Sequence, residues 1–247
     1  MNKEELINFE KEIVELFNDG KLKSPVHLSG GDEDELIEIF KQIKPNDYVF
    51  SNYRSHYHAL LKGINKDWLK NWILDNKSIH VMNKEHKFFT SAIVGGCLPI
   101  ALGTALAIKK KQENMEKEIK EVIEPMHGED WKVEGEVKVT PMNQPHVWCF
   151  VGDMTANTGV FWECWNYAKN FDLPITFVIA DNGLSTDTNT KESWGINKVY
   201  AHWYQSPNMI NKKIIYYKYK RVYPHYGTGK FIAKIWEGID ETKQKGF

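Results

Sequence analysis

The chain has 247 residues, with 32 lysines and arginines against 33 aspartates and glutamates, so its formal net charge is −1 at neutral pH. This length suits one large α/β domain or two small ones. The balanced charge argues against a general nucleic-acid binder or a binder of anionic membranes, since either needs surplus basic residues to engage phosphates. Three scattered cysteines are typical of buried thiols in a reducing compartment. Acidic residues stand where a signal peptide needs an apolar run, which predicts a cytoplasmic protein.

The spacing of hydrophobic residues predicts helices that alternate with strands. Alternation of this kind is typical of an α/β fold whose sheet is mostly parallel and carries helices on both faces. We expect a single domain covering residues 1–247. In chain order, the predicted elements are helices over 3–18 and about 32–43, a strand opening into a loop at 47–54, helices near 56–62 and 66–75, a strand at 147–151, a helix over about 159–170, strands at 175–180 and 214–219, and a final helix over about 230–244.

Two segments depart from this rhythm. Residues 88–108 carry no charge and are long enough to cross a bilayer, but three glycines and a proline interrupt them. We therefore predict a loop leading into a buried helix of small residues, and no membrane contact. Residues 109–145 are predicted to be an insertion, with a solvated, charge-dense helix first and an exposed β-ribbon after it.

Two polar groups follow neighbouring predicted strands. Asp153 comes directly after the strand at 147–151, and Asn182 follows the strand at 175–180. In a parallel sheet, ligands bind beyond the carboxyl ends of the strands, where the next helix offers unpaired N–H groups to anions. A carboxylate, an amide oxygen and a nearby backbone carbonyl form a set of oxygen donors that suits Mg²⁺ carrying the phosphates of a cofactor. The alternative is that Asp153 caps a helix and Asn182-Gly183 forms a turn.

Four blocks of sequence carry a family resemblance. GDMTANTG (152–159) followed by DNG (181–183) resembles the thiamine diphosphate motif, in which GDG precedes a distant pair of asparagines. Three upstream blocks occur in the expected order: VHLSGGDEDEL at 26–36, DYVFSNYRSHYHALLKG at 47–63, and SIHVMNKEHKFFTSAIVGGCLPIALGTALA at 78–107. Together they resemble the alpha subunit of the decarboxylating component of 2-oxo acid dehydrogenases, of the pyruvate, branched-chain and acetoin types.

The resemblance implies a thiamine diphosphate-binding fold of the diphosphate-binding type and assigns roles by position. Mg²⁺ would be held by Asp153, Asn182 and the backbone carbonyl of Leu184. Arg54 has a planar, permanently charged fork that suits a diphosphate, and its alternative role is a surface ion pair. The cofactor-binding residues implied by the motifs are Tyr53, Arg54, Ala92, Val94, Gly152, Asp153, Met154, Thr155, Asn182 and Leu184.

Three histidines are candidate catalytic residues. His27 and His56 match motif positions that face the thiazolium ring and the substrate in the family, and a near-neutral pKa suits them to proton donation. His225 is a candidate because its loop stands where the family has a histidine-bearing loop. His58 matches less securely. For His27 and His56, the alternative is a structural histidine that holds a loop.

The implied reaction is the decarboxylation of a 2-oxo acid, dependent on thiamine diphosphate and Mg²⁺, with transfer of the acyl or aldehyde unit to an acceptor. In the family, the activating glutamate belongs to a separate beta subunit that carries the pyrimidine-binding domain, so we expect an α2β2-type assembly. Met154 stands at the third glycine of the motif, and residues 184–213 lack the family's VDGND-type segment, which leaves the acceptor and the docking mode open.

Two alternatives remain. One is the diphosphate-binding half of a split transketolase-like enzyme, although Thr155 and Thr158 do not fit the GDGE-x-x-E-G pattern of that group. The other is a non-catalytic pseudo-subunit, against which the presence of both Asp153 and Asn182 argues.

Overall fold

Helices and strands alternate along the chain as predicted, over the residues that the computed structural model describes: 1–123, 144–185, 188–195 and 213–227. The helices are α1 (Lys3–Asn18), α2 (Glu33–Phe40), α3 (His56–Leu61), α4 (Lys66–Leu74), α5 (Cys97–Ile123), α6 (Asp153–Ala156), α7 (Gly159–Asn170) and α8 (Thr190–Ser193). The strands are β1 (His27–Leu28), β2 (Tyr48–Ser51), β3 (Met82–Asn83), β4 (Phe88–Thr90), β5 (Val147–Gly152), β6 (Ile175–Asp181), β7 (Leu184–Ser185), β8 (Thr188–Asn189), β9 (Ile214–Lys218) and β10 (Tyr226–Gly227). The helix predicted at 230–244 and the ribbon predicted after α5 lie outside the described residues.

A six-stranded sheet, in the order β3-β4-β2-β5-β6-β9, forms the centre of the described fold. All neighbouring strands are parallel except β3 and β4. The pairing of β5 with β6 places Gly152 opposite Ala180, so Asp153 and Asn182 follow the same edge of the sheet. The prediction of a mostly parallel sheet is confirmed.

The side chains of β5 alternate between two hydrophobic clusters. Trp148 and Phe150 pack with the helices α1 to α4 on one face, while Val147, Cys149 and Val151 pack with α5 and α7 on the other. A strand buried on both faces has a continuous run of apolar residues, which explains the sequence VWCFV. Helices therefore cover both faces of the sheet, as predicted.

The uncharged run at 88–108 is divided among three structures. It forms β4, a turn at 91–96 and the first part of α5, whose Ala101 and Ala105 are fully buried. Among the described residues, every helix is too short or too polar to span a bilayer. The predicted loop and buried helix are confirmed, but the charge-dense residues that follow continue α5 to Ile123 without a break.

A connection that the sequence does not predict joins two distant segments. β1 pairs antiparallel with β10, with His27 opposite Gly227. Beside this ribbon, the backbone N–H of Val222 donates to the carbonyl of Gly30 at 3.2 Å. The Tyr217 hydroxyl donates to Asp32 Oδ2 at 2.9 Å. These contacts bring the 217–227 segment onto the loop that precedes α2.

Candidate active site

A cleft of about 920 Å³, counted out to its open mouth, lies at the edge of the sheet where β2, β5 and β6 end. The parallel strands bring residues from distant parts of the chain to this edge, because their carboxyl ends meet there. Most of the residues predicted from the sequence line it, namely Tyr53, Arg54, Val94, Gly152, Asp153, Met154, Thr155, Asn182, Leu184 and His225.

Asp153 begins α6 and is 2% exposed. Its Oδ2 atom is buried and has no hydrogen-bond partner among the described residues. Burial raises the pKa of this carboxyl from its ordinary 3.8 to about 7, and the nearby Asp181 adds to the rise. A buried carboxylate oxygen without a partner is costly, and a bound cation would satisfy it. This observation fits the predicted Mg²⁺ site.

Asn182 follows β6 and contributes an amide to the same cleft. Its Oδ1 accepts from the backbone N–H of Leu184 at 3.0 Å, and its Nδ2 donates to the Tyr219 hydroxyl at 2.8 Å. Gly183 next to it has a φ of +75°, a conformation that favours glycine. The turn considered as an alternative is therefore present, and it leaves Asn182 in the cleft lining.

The kinds of donor in the cleft indicate which metal it suits. No group of three or more His, Cys, Asp or Glu side chains that could hold a metal ion occurs in the described part of the chain. Asp153, Asn182 and the main chain at Leu184 instead offer oxygen atoms, which Mg²⁺ prefers over the nitrogen and sulfur ligands typical of zinc.

Arg54 lines the same cleft as this set of oxygen donors. Its Nη1 donates to the carbonyl of Leu28, and its backbone N–H donates to Asn52 Oδ1 at 2.7 Å. The bond to Leu28 thus holds the guanidinium at the cleft wall. A fixed, permanently charged fork is suited to holding phosphate oxygens.

His27 lies behind the cleft lining and does not form part of it. Its ring packs against the ring of Tyr53 with centroids 4.3 Å apart. Burial, with the nearby charge of Arg54, lowers its pKa to about 3, so the ring is neutral at physiological pH. His27 can therefore support Tyr53, a cleft residue, through this ring contact.

The two histidines of α3 lie on different sides of the helix, as expected for residues two positions apart. His56 is fully buried, with Nε2 at 3.0 Å from Ser78 Oγ and Nδ1 at 3.3 Å from Glu10 Oε1. His58 lines the cleft, 2.7 Å from Ser51 Oγ. The structure thus places His58, and not His56, where a catalytic histidine was expected, and the contacts of His56 favour its structural alternative. Ala92 is also outside the cleft lining.

His225 lines the cleft from the segment that follows β9. Its Nδ1 lies 3.2 Å from the carbonyl oxygen of Gly30. Because a carbonyl only accepts, Nδ1 carries the proton and donates it. Burial lowers the pKa of His225 well below its ordinary value, and the charge of Arg54 lowers it further. The neutral ring is then left with Nε2 as a hydrogen-bond acceptor.

Sequence reasoning missed several residues of the cleft. Asp32 and Tyr219 line it, and Trp194 covers Met154 by placing its indole Nε1 3.0 Å from the Met154 sulfur. Asp32 stands within the motif block at 26–36, so the block could have pointed to it. Tyr219 carries no motif or spacing signal, since it reaches the cleft through tertiary packing.

Asp32 is expected to make the free energy of unfolding depend on pH. Burial raises its pKa from 3.8 to about 7, with Glu33 and Glu10 adding to the rise while Tyr217 and Arg54 oppose it. The folded state then holds this proton more tightly than the unfolded state, so stability falls as the pH rises from about 4 to about 7. Asp32→Asn is expected to remove this part of the pH dependence, which amounts to about 1.4 kcal/mol per pH unit at most.

Urea unfolding of wild type and Asp32→Asn at pH 4.5 and pH 7.5 measures the effect. The variant should gain stability relative to wild type as the pH rises. Asp34→Asn is the control, because this carboxylate is exposed and pairs with Lys3. Equal pH dependence in wild type and Asp32→Asn would show that Asp32 titrates normally.

A comparison with known protein families matches residues 1–203 to the family described as dehydrogenase E1 component. The chain belongs to this family. The resemblance inferred from the four motif blocks is confirmed, and the match covers every described element before β9.

Curated proteins similar to this dehydrogenase E1 component chain are alpha subunits. The pyruvate dehydrogenase E1 component subunit alpha of Porphyra purpurea is 31% identical over 185 residues, which cover 71% of this chain and 47% of that protein. The chloroplastic subunit alpha-3 of Arabidopsis thaliana is 28% identical, over 71% of this chain and 38% of that protein. The alpha subunit of acetoin:2,6-dichlorophenolindophenol oxidoreductase of Bacillus subtilis is 28% identical, over 74% and 49% respectively.

These alignments cover half or less of each relative. The chain spans from 38% to 49% of the length of these three curated proteins. The likeness therefore applies to a part of each relative.

Proposed function

We propose that this chain is the alpha-type component of a 2-oxo acid dehydrogenase that depends on thiamine diphosphate and Mg²⁺. The observation that carries the proposal is the buried Asp153 oxygen without a partner, in a cleft that also contains Asn182, Leu184 and Arg54. Family membership supports the same cofactor, because the motif residues of this family stand in the cleft lining.

The residues divide into a cation side and an anion side. Asp153, Asn182 and the Leu184 carbonyl would hold Mg²⁺, and Arg54, which lines the same cleft, would contact the diphosphate oxygens. When bound, thiamine diphosphate supplies the stabilisation of a carbanion that releases CO₂ from a 2-oxo acid, which protein side chains cannot provide.

The remaining cleft residues orient the reactants and control protons. Neutral His225 offers Nε2 as an acceptor, while its Nδ1–H is held by Gly30. His58 is kept neutral by burial, which lowers its pKa to about 3, and Ser51 fixes its ring. Since both rings are neutral, Arg54 would supply the positive charge of this part of the cleft. Met154 lines the cleft at the third position of the motif, and the indole N–H of Trp194 lies 3.0 Å from its sulfur, which would hold the Met154 side chain in place.

We propose that a beta-type subunit covers the mouth of the cleft, in an α2β2-type assembly. Ile93 and Val94 are 74% and 52% exposed at the turn before α5, and both line the cleft. Apolar side chains exposed beside a polar cleft are typical of a surface that another protein covers. The activating glutamate would come from this subunit, as in the family that the motifs resemble.

Decarboxylation assays test the proposed function. The purified chain should release no CO₂ from pyruvate or branched-chain 2-oxo acids above the rate without enzyme. Mixing it with the beta-type subunit from the same source should produce release that needs thiamine diphosphate and Mg²⁺. A normal rate from the chain alone would contradict the two-subunit proposal. Cofactor binding without turnover in the mixture would favour the non-catalytic pseudo-subunit.

A further inference from the structure

We propose that Tyr219 is a positioning residue that fixes the orientation of the Asn182 amide and so keeps Oδ1 available to Mg²⁺. The inference rests on the proposed function, since it concerns the metal that accompanies the cofactor. Tyr219 lies on the segment after β9, outside the four motif blocks and beyond the residues matched to the family.

The two ends of the Asn182 amide have different partners. The backbone N–H of Leu184 lies 3.0 Å from Oδ1 and can only donate, which identifies that end as the oxygen. The Tyr219 hydroxyl lies 2.8 Å from Nδ2 and accepts from it. An amide oxygen has a second lone pair, so Oδ1 can accept from Leu184 and still coordinate a cation. Together the two bonds select one of the two amide orientations.

Tyr219 is itself held on three sides. Its backbone N–H donates to the carbonyl of Asp181 at 3.0 Å. The centroid of its ring lies 6.0 Å from the ring centroid of Tyr217 and 5.9 Å from that of His225. The acceptor for Asn182 Nδ2 is therefore fixed in place before any ligand binds.

Removal of this hydroxyl has a specific consequence for the metal. Without the Tyr219 hydroxyl, Asn182 Nδ2 has no acceptor. The Asn182 amide is then free to rotate and to present its nitrogen to the cation. Groups that orient metal ligands in this way change metal affinity by about 10- to 100-fold when they are removed. A merely structural tyrosine would change the melting temperature without changing the requirement for Mg²⁺.

Tyr219→Phe, in the chain mixed with its beta-type partner, tests the inference, with Tyr217→Phe as the matched control. Tyr217 lies on β9 and donates its hydroxyl to Asp32 at 2.9 Å, so the control loses one tyrosine hydroxyl hydrogen bond that does not involve Asn182. Titration calorimetry with thiamine diphosphate over a series of Mg²⁺ concentrations gives the half-saturating Mg²⁺ for each protein. Thermal unfolding without ligands shows whether each variant is folded.

Tyr219→Phe should need about 10-fold more Mg²⁺ than wild type, while Tyr217→Phe should need the wild-type concentration. Equal Mg²⁺ requirements in wild type and folded Tyr219→Phe would overturn the inference and leave the proposed function standing. An equal increase in both variants would also overturn it, because the effect would then not be specific to Asn182. Absence of cofactor binding by wild type would instead contradict the proposed function.

Discussion

Asp153→Asn is expected to weaken the binding of thiamine diphosphate with Mg²⁺ by more than about 100-fold, since removing even the partner of a metal ligand costs about 10- to 100-fold. Asparagine has nearly the same shape as aspartate, so the cleft should keep its form. The variant lacks the negative charge and the second carboxylate oxygen, and Asp153 Oδ2 is the buried atom that has no partner in the described residues.

The same substitution should leave the ligand-free protein at least as stable as wild type. Burial of the Asp153 carboxylate, whose Oδ2 has no partner among the described residues, opposes folding, and the neutral amide avoids part of this penalty. A loss of binding together with a gain of stability is the expected signature of a residue kept for a ligand. Substitution of a residue kept for packing would lower both the cofactor affinity and the stability.

Calorimetric titration and urea unfolding, both at pH 7.5, measure these two effects. Asp172→Asn is the matched control, because this carboxylate is 88% exposed and pairs with Lys213 at the surface. The control should bind the cofactor as wild type does. Wild-type affinity in Asp153→Asn would show that the carboxylate takes no part in binding.

Gly31→Ala is expected to lower the free energy of unfolding by about 3 kcal/mol or more, through backbone strain of about 1–3 kcal/mol and overpacking of about 1–3 kcal/mol. Gly31 has a φ of +112°, where residues with a side chain are strained, and an added Cβ would overlap the Lys220 carbonyl oxygen. The overlap is with backbone, which cannot move aside as a flexible side chain would. The substitution should therefore separate the loop before α2 from the 217–227 segment.

Two glycine controls separate the causes of this loss. Gly20 has a φ of +72° with no atom within 4 Å of an added Cβ, so Gly20→Ala measures strain without overlap. Gly103 lies within α5 and is also free of neighbours within 4 Å, so Gly103→Ala should stabilise the helix by up to about 1 kcal/mol. Urea unfolding followed by tryptophan fluorescence orders the three variants. If Gly31→Ala lowered the free energy of unfolding no more than Gly20→Ala does, the close approach of Gly31 to the Lys220 carbonyl would be contradicted.

The elements with a strong hydrophobic pattern could be predicted from the sequence. α1 has apolar residues at helical spacing and ends before a glycine, and β5 and β6 are apolar throughout because both of their faces are covered. β1 and β10 could not be predicted, since each has two residues and forms by pairing with the other. A strand of that length has no periodicity of its own.

In the candidate site too, residues next to strongly patterned elements could be predicted, and residues placed by contacts between distant segments could not. Asp153 and Asn182 could be predicted because each directly follows a strong strand, and parallel strands bring such positions together. The choice between His56 and His58 depends on how α3 rotates against β5, which spacing does not determine. The packing of His58 on Phe150, with centroids 4.4 Å apart, settles that rotation in the structure. Tyr219 reaches Asn182 through the pairing of β9 with β6, a contact between distant parts of the chain.

The most direct test of the central claim is a calorimetric titration of the chain, together with its beta-type partner, with thiamine diphosphate in the presence and absence of Mg²⁺. We predict saturable binding at one site per chain that is lost when EDTA removes the metal and is lost again in Asp153→Asn. Binding that is unaffected by EDTA, or absence of binding under all of these conditions, would contradict the assignment of this cleft as a thiamine diphosphate and Mg²⁺ site.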